Sequence, residues 1–236
     1  MDWEQYESDE LLSERAAEIF LAAIRDNPRV VLGLPTGRSP VGMYRRIVRE
    51  CAREYHCFRN VTTFNLDEYV GVSPDHPASY HTYMQHHLFD HVDVQPECVH
   101  IPHGDAKDPA AEALRYEREI VEAGGLGLTF LGLGRNGHIG FNEPGSPFDA
   151  RTRVVELTPS TRKANAEFFP EGNVPTHAIT MGIGTILESQ AIVLLVAGEG
   201  KHDAIGRLRS GTLDESFPAS ALWKHRNVKV LASSFA

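Results

Sequence analysis

The sequence predicts an α/β fold, a mostly parallel sheet covered by helices on both faces. Three observations predict it. Short apolar runs of strand length recur at residues 29–34 (RVVLGL), 61–66 (VTTFNL), 128–131 (LTFL) and 191–196 (AIVLLV), and they read as buried strands. Stretches of helical periodicity lie between them. No repeat or linker interrupts the alternation, which is the pattern of strand–helix–strand units with parallel strands.

Composition bounds the function. With 236 residues, 42% hydrophobic and 23% charged, the chain can bury a sizeable core within one domain. The net charge of −9 offers no attraction to a phosphate backbone, and no dense Lys/Arg cluster breaks the acidity, so no nucleic-acid partner is expected. No apolar run reaches the ~18 residues that span a membrane, and no membrane partner is expected. The acidic start MDWEQYESDELL has neither region of a signal peptide. Cys51, Cys57 and Cys98 fit no disulfide framework and read as reduced thiols of a cytoplasmic protein. Twelve histidines invite a metal. Yet no H-E-x-x-H or C-x-x-C spacing occurs, and His86, His87 and His91 read as part of an ordinary helix, so no metal site is expected.

Taken in order, Ser8 is placed to cap a helix whose stripe runs Leu11, Leu12, Ala16, Ile19, Phe20, Ala23, Ile24. The strand at 29–34 leads into the turn Pro35-Thr36-Gly37-Arg38-Ser39-Pro40. Ser39 is the expected N-cap and Pro40 the first helical residue, and the helix continues through Met43, Tyr44, Ile47 and Val48. A strand, a turn and a helix N-terminus in this order expose main-chain N–H groups to an anion. Alone the pattern is common and binds nothing in many proteins. The strand at 61–66 ends in Asp67-Glu68-Tyr69. A helix over 79–89, a short run at 99–102 and a helix over 108–122 lead to the central strand. Beyond it we expect a strand at 153–157, a short helix over 160–169, a strand at 191–196, a helix over 201–208 and a last strand at 228–232.

The central stretch is LTFLGLGRNGHIGFNEP, residues 128–144. A buried strand opens into glycines 132, 134, 137 and 140. That sets His138 and Glu143 five residues apart at the carboxyl end of a strand, where open α/β sheets place ligands. Glycine lets the main chain approach a ligand closely. A tight turn with a solvated His and Glu would look the same by itself.

Four segments together say more: Leu34-Pro-Thr-Gly37 after a strand, Phe64-Asn-Leu-Asp-Glu-Tyr-Val-Gly71, Gly134-Arg-Asn-Gly-His-Ile-Gly-Phe-Asn-Glu-Pro144, and Thr161-Arg-Lys-Ala-Asn165. In order and spacing they resemble the glucosamine-6-phosphate deaminase family, and the resemblance covers nearly the whole chain. It implies a three-layer α/β/α, modified Rossmann-like fold with a mostly parallel sheet. It implies one domain over residues 1–236 with a lid around 150–175. It further implies conversion of glucosamine 6-phosphate and water to fructose 6-phosphate and ammonia, with no redox cofactor. The partner would be a small amino sugar phosphate; family members differ in oligomeric state, which leaves a homo-oligomer open.

The resemblance also implies roles. Asp67 is the base that takes the C2 proton. His138 assists ring opening, and Glu143 is its carboxylate partner, raising the imidazole pKa. Asn136 stands where some members carry Asp; it orients the imidazole without stabilising its charge as strongly. Thr36, Gly37, Arg38, Ser39 and Lys201 would hold the phosphate. Arg153 is retained from an effector site of some members, but Val155 replaces a Lys there.

Two positions depart from the family: Glu167 stands where many members have a phosphate-binding Arg, and Arg38 stands where the turn usually has Gly. A carboxylate repels a phosphate dianion. Either Glu167 turns away and Arg38 supplies the guanidinium, or the pocket takes an unphosphorylated amino sugar whose 6-hydroxyl Glu167 accepts. The kept turn and Lys201 favour the first. The competing functions are 6-phosphogluconolactonase, which lacks Phe141-Asn142-Glu143-Pro144, and a sugar-phosphate sensor without catalysis.

Overall fold

The computed structural model describes residues 1–53 and 58–234. Cys57 lies outside the described residues. The first half of the chain contains β1 (Asp2–Tyr6), α1 (Asp9–Asp26), β2 (Val31–Leu34), α2 (Val41–Cys51), β3 (Thr62–Asn65), β4 (Asp67–Tyr69), α3 (Tyr80–His87), β5 (Val99–His100) and α4 (Pro109–Glu122). The second contains β6 (Leu128–Gly132), β7 (Arg153–Glu156), α5 (Pro159–Asn165), β8 (His177–Thr180), α6 (Ile183–Leu187), β9 (Ala191–Val196), α7 (His202–Arg209) and β10 (Val228–Ser233).

Seven strands form one parallel sheet in the order β1-β10-β9-β6-β2-β3-β5. Side chains alternate between its faces. Val193 and Leu195 of β9 join a core with Leu12 and Phe20 of α1, Met43 and Tyr44 of α2 and Met84 of α3. Their neighbours Ile192, Leu194 and Val196 join another with Tyr116 and Ile120 of α4, Ile186 of α6 and Leu208 of α7. Helices on both faces make the three expected layers, and burial on both sides is why AIVLLV is apolar without alternation.

From β2 the chain moves outward to β3 and β5, then returns to β6, β9 and β10 on the other side of β2. The connections that leave the carboxyl ends of β2 and β6 therefore diverge. That switch point is where doubly wound sheets open a ligand crevice.

Several expectations need correction. The run at 61–66 supplies β3, but the residues that follow it form a strand of a second sheet. Leu66 N–H donates to Leu34 O at 3.1 Å, and the chain then turns, so that Asp67–Tyr69 pairs antiparallel with β8, which also pairs with β7. These three strands form a small antiparallel sheet, held to the end of β3 by Met181 N–H donating to Leu66 O at 2.7 Å. Ser39 is not the cap of α2, which starts at Val41 behind Pro40 with no side-chain cap. The short helix expected over 160–169 begins at Pro159 behind the cap Thr158, and it gives way to a 3-10 turn over Ala166–Phe168. His91 lies in a separate 3-10 turn, Phe89–His91, after α3.

β1, β8, α6 and the 3-10 segment Pro218–Lys224 were not foreseen. β1 is an edge strand paired only with β10, and its Asp2 and Glu4 hold the Lys229 ammonium, so it has no apolar signature. β8 and α6 are too short for periodicity to register.

Candidate active site

The crevice contains a cavity of about 250 Å³, lined among others by Thr36, Gly37, Arg38, Ser39, Asp67, Tyr80, His138, Thr161 and Asn165. The β2 turn, the start of β4, the glycine loop after β6, and α5 each supply one wall. Asn136 and Glu143 stand behind His138, and Lys201 behind Ser39. Glu167 does not line the cavity.

Asp67 is the first residue after the turn that takes the chain out of the main sheet. It is 5% exposed, and among the described residues no donor reaches its carboxylate. Burial, with a smaller contribution from Glu68, pushes its pKa up to about 8. An unbonded carboxylate titrating near the working pH is suited to taking and returning a proton. Glu68 has a different environment. It accepts from Ser79 Oγ at 2.7 Å, from the N–H groups of Tyr69 and Tyr80 at 2.8 Å, and from His81 N–H at 3.3 Å. It thus fixes the first turn of α3 to β4, a role that sequence reasoning passed over. Burial raises its pKa to about 7 against those hydrogen bonds.

The opposite wall is the loop from Gly134 to Pro144. The imidazole of His138 packs on Gly134 so closely that a β-carbon there would lie 2.4 Å from the ring. His138 Nδ1 is 2.7 Å from Asn136 Oδ1. Asn136 Nδ2 donates to Glu143 Oε2 at 2.7 Å, and the Thr161 hydroxyl donates to the other Glu143 oxygen. An ionised carboxylate only accepts, so the amide NH2 must face Glu143 and the amide oxygen must face the ring. Nδ1 then carries the proton, and Nε2 of the neutral imidazole has a free lone pair.

This corrects two expectations. The direct partner of the imidazole is Asn136, while Glu143 stands 3.9 Å from Nδ1. The pKa of His138 is lowered, because burial outweighs the attraction of Glu143 and the Lys201 charge adds to the depression. The ring is therefore held neutral, as a base rather than a standing cation. Thr161, part of a recognised motif but given no role, completes the chain His138–Asn136–Glu143–Thr161.

The third wall is suited to an anion. Gly37 turns the chain at φ 87°, and Lys201 Nζ donates to Ser39 Oγ at 3.2 Å. Ser39, released from capping, presents its hydroxyl to the cavity. Burial lowers the Lys201 pKa to about 8, with Arg135 acting the same way and Asp9 opposing. An arriving anion favours the charged ammonium and raises this pKa again. Glu167 stays outside the cavity lining and forms an ion pair with Arg38.

The chain matches the glucosamine-6-phosphate isomerase/6-phosphogluconolactonase family over residues 6–231, and it belongs to that family. Its similarity within the family is to deaminases. The glucosamine-6-phosphate deaminase of Lysinibacillus sphaericus is 50% identical over 232 residues, covering 98% of each chain. Glucosamine-6-phosphate deaminase 1 of Bacillus subtilis is 48% identical over 98% of this chain and 95% of its own. The structure of a monomeric glucosamine-6-phosphate deaminase, 47% identical, matches with a TM-score of 0.97 over 99% of this chain and 98% of that one. A 6-phosphogluconolactonase from Shewanella baltica, at 17% identity and a TM-score of 0.76, shares the fold over 99% of this chain and 98% of its own.

Proposed function

We propose that this chain converts glucosamine 6-phosphate and water to fructose 6-phosphate and ammonia. The observation that carries this reading is that Asp67 and His138 face one cavity whose third wall is the Thr36–Ser39 turn. Close relatives named for this activity support it.

The residues serve the reaction in sequence. The neutral His138 accepts the O1 proton through Nε2 and returns a proton to the ring oxygen as the sugar opens. Asn136 passes the charge of Glu143 toward the transient imidazolium and keeps the ring oriented. Asp67 then takes the proton from C2 and delivers it to C1 while O1 takes a proton released by the C2 ammonium, which turns the aldehyde into an alcohol and leaves an iminium at C2. Water adds to the iminium and ammonia leaves. The oxidation at C2 is matched by the reduction at C1, so no outside oxidant is consumed.

Arg38 lines the cavity and Glu167 does not, which supports a phosphate rather than a free 6-hydroxyl at this end. Among the described residues no helix is long and apolar enough to cross a membrane. A doubly charged sugar phosphate as substrate supports a cytoplasmic enzyme.

The test is ammonia and fructose 6-phosphate release from glucosamine 6-phosphate, compared with free glucosamine and 6-phosphogluconolactone. Turnover of the phosphorylated amino sugar alone is expected. Preference for free glucosamine, or lactone hydrolysis without ammonia, would contradict the reading.

A further inference from the structure

Arg38 and Glu167 meet at the edge of the cavity. Arg38 follows Gly37 in the turn after β2 and lines the cavity; Glu167 sits in the 3-10 turn Ala166–Phe168 that extends α5. Their guanidinium and carboxylate are in ion-pair contact across 129 residues of chain. The side chains are 83% and 52% exposed. Among the described residues neither makes another hydrogen bond or ion pair. An ion pair this exposed adds little stability, so it is no structural staple. What distinguishes it is its place, since it engages the Arg38 guanidinium where Ser39, with Lys201 behind it, also meets the cavity.

Resting on the reading of this cavity as a sugar-phosphate site, we propose that Glu167 is a gate on its phosphate end. Its carboxylate occupies Arg38 in the empty enzyme and yields it to the substrate phosphate. The phosphate dianion brings twice the charge of the carboxylate and a geometry that suits the guanidinium fork. Arg38 cannot serve both anions at full strength, and once the phosphate has it, Glu167 is repelled by the dianion. The end of α5 thereby senses phosphate. A sugar without phosphate has nothing to displace Glu167 and meets a masked Arg38. Affinity for the phosphorylated substrate is lower than Arg38 alone would allow, while a sugar without phosphate, which makes no use of Arg38, is unaffected.

The test is Glu167→Gln, a nearly isosteric change at an exposed side chain. The Michaelis constant for glucosamine 6-phosphate should fall by roughly two- to fivefold, the weight of one exposed ion pair, with turnover number changed less. Calorimetry with inorganic phosphate should show a parallel drop in Kd. In an Arg38→Gln background the same substitution should do nothing, because it acts through Arg38. An unchanged or raised Kd in Glu167→Gln, or an equal effect without Arg38, would overturn the gate. Failure of the unmodified enzyme to release ammonia from glucosamine 6-phosphate would sink the substrate reading instead, and the phosphate calorimetry would still decide the gate.

Discussion

Asp67 and Gly140 are packed so closely that a β-carbon at position 140 would stand 3.2 Å from Asp67 Oδ2. The backbone of Gly140 runs at φ 56°, in the left-handed region that side chains disfavour. The Asp67 carboxylate and the loop that carries His138 are thus registered through bare backbone. Gly140→Ala should cost about 1–2 kcal/mol in backbone strain and push Asp67 or Thr180 aside. We expect turnover number to fall more than the Michaelis constant changes, with a lower melting temperature. Unaltered turnover would mean that the position of Asp67 is not set by this contact.

Asn136 separates His138 from Glu143, so its replacement tests the relay. Asn136→Asp puts a carboxylate against Nδ1 and should raise the His138 pKa toward or above its ordinary value, opposing the burial that lowers it. NMR titration of the His138 ring proton in both proteins measures this directly. A value that stays down in the variant would show that Asn136 does not set the charge of the ring.

Stability should fall as pH rises through the range set by Asp67 and Glu68. Their pKa values in the fold are raised to about 8 and about 7, above those of the unfolded chain. The folded state therefore binds more protons in between, and the stabilisation present below the unfolded values is lost as pH climbs to the folded ones. Asp67→Asn should melt a few degrees higher than the parent at pH 8 and close to it at pH 4. Thermal denaturation across this range decides it; a variant less stable at pH 8 would contradict the burial argument.

No effector activation is expected. Arg153 donates to Asn142 Oδ1 at 2.9 Å and to Ser146 Oγ at 3.3 Å, so its guanidinium braces the catalytic loop, and Val155 adds no cation. Rate curves should be hyperbolic and indifferent to N-acetylglucosamine 6-phosphate. A sigmoidal curve that this compound makes hyperbolic would reverse the conclusion.

The strands of the main sheet were legible because burial on both faces leaves runs such as AIVLLV, and α1 because Ser8 precedes an unbroken stripe. β1 was not, since an edge strand that holds Lys229 with carboxylates shows no apolar pattern. The small sheet was hidden because it assembles segments distant in sequence, Asp67–Tyr69, Arg153–Glu156 and His177–Thr180. The site residues were legible as motifs, but not their partners. How far Glu143 stands from the imidazole depends on loop curvature, which Asn142 pins by donating to Ile139 O and Met181 O at 2.9 Å. The sign of the His138 shift depends on burial, which no local pattern encodes. The Arg38–Glu167 pair joins two departures that could be noticed singly but matched only in space.

The central claim is that Asp67 moves the proton between C2 and C1. Solvent-deuterium exchange at C2 of glucosamine 6-phosphate, followed by NMR in the parent and in Asp67→Asn, tests it most directly. The amide is nearly isosteric and cannot accept a proton, so exchange and turnover should drop together by on the order of 10² to 10⁴ while substrate still binds. Undiminished exchange in Asp67→Asn would assign the base to another residue.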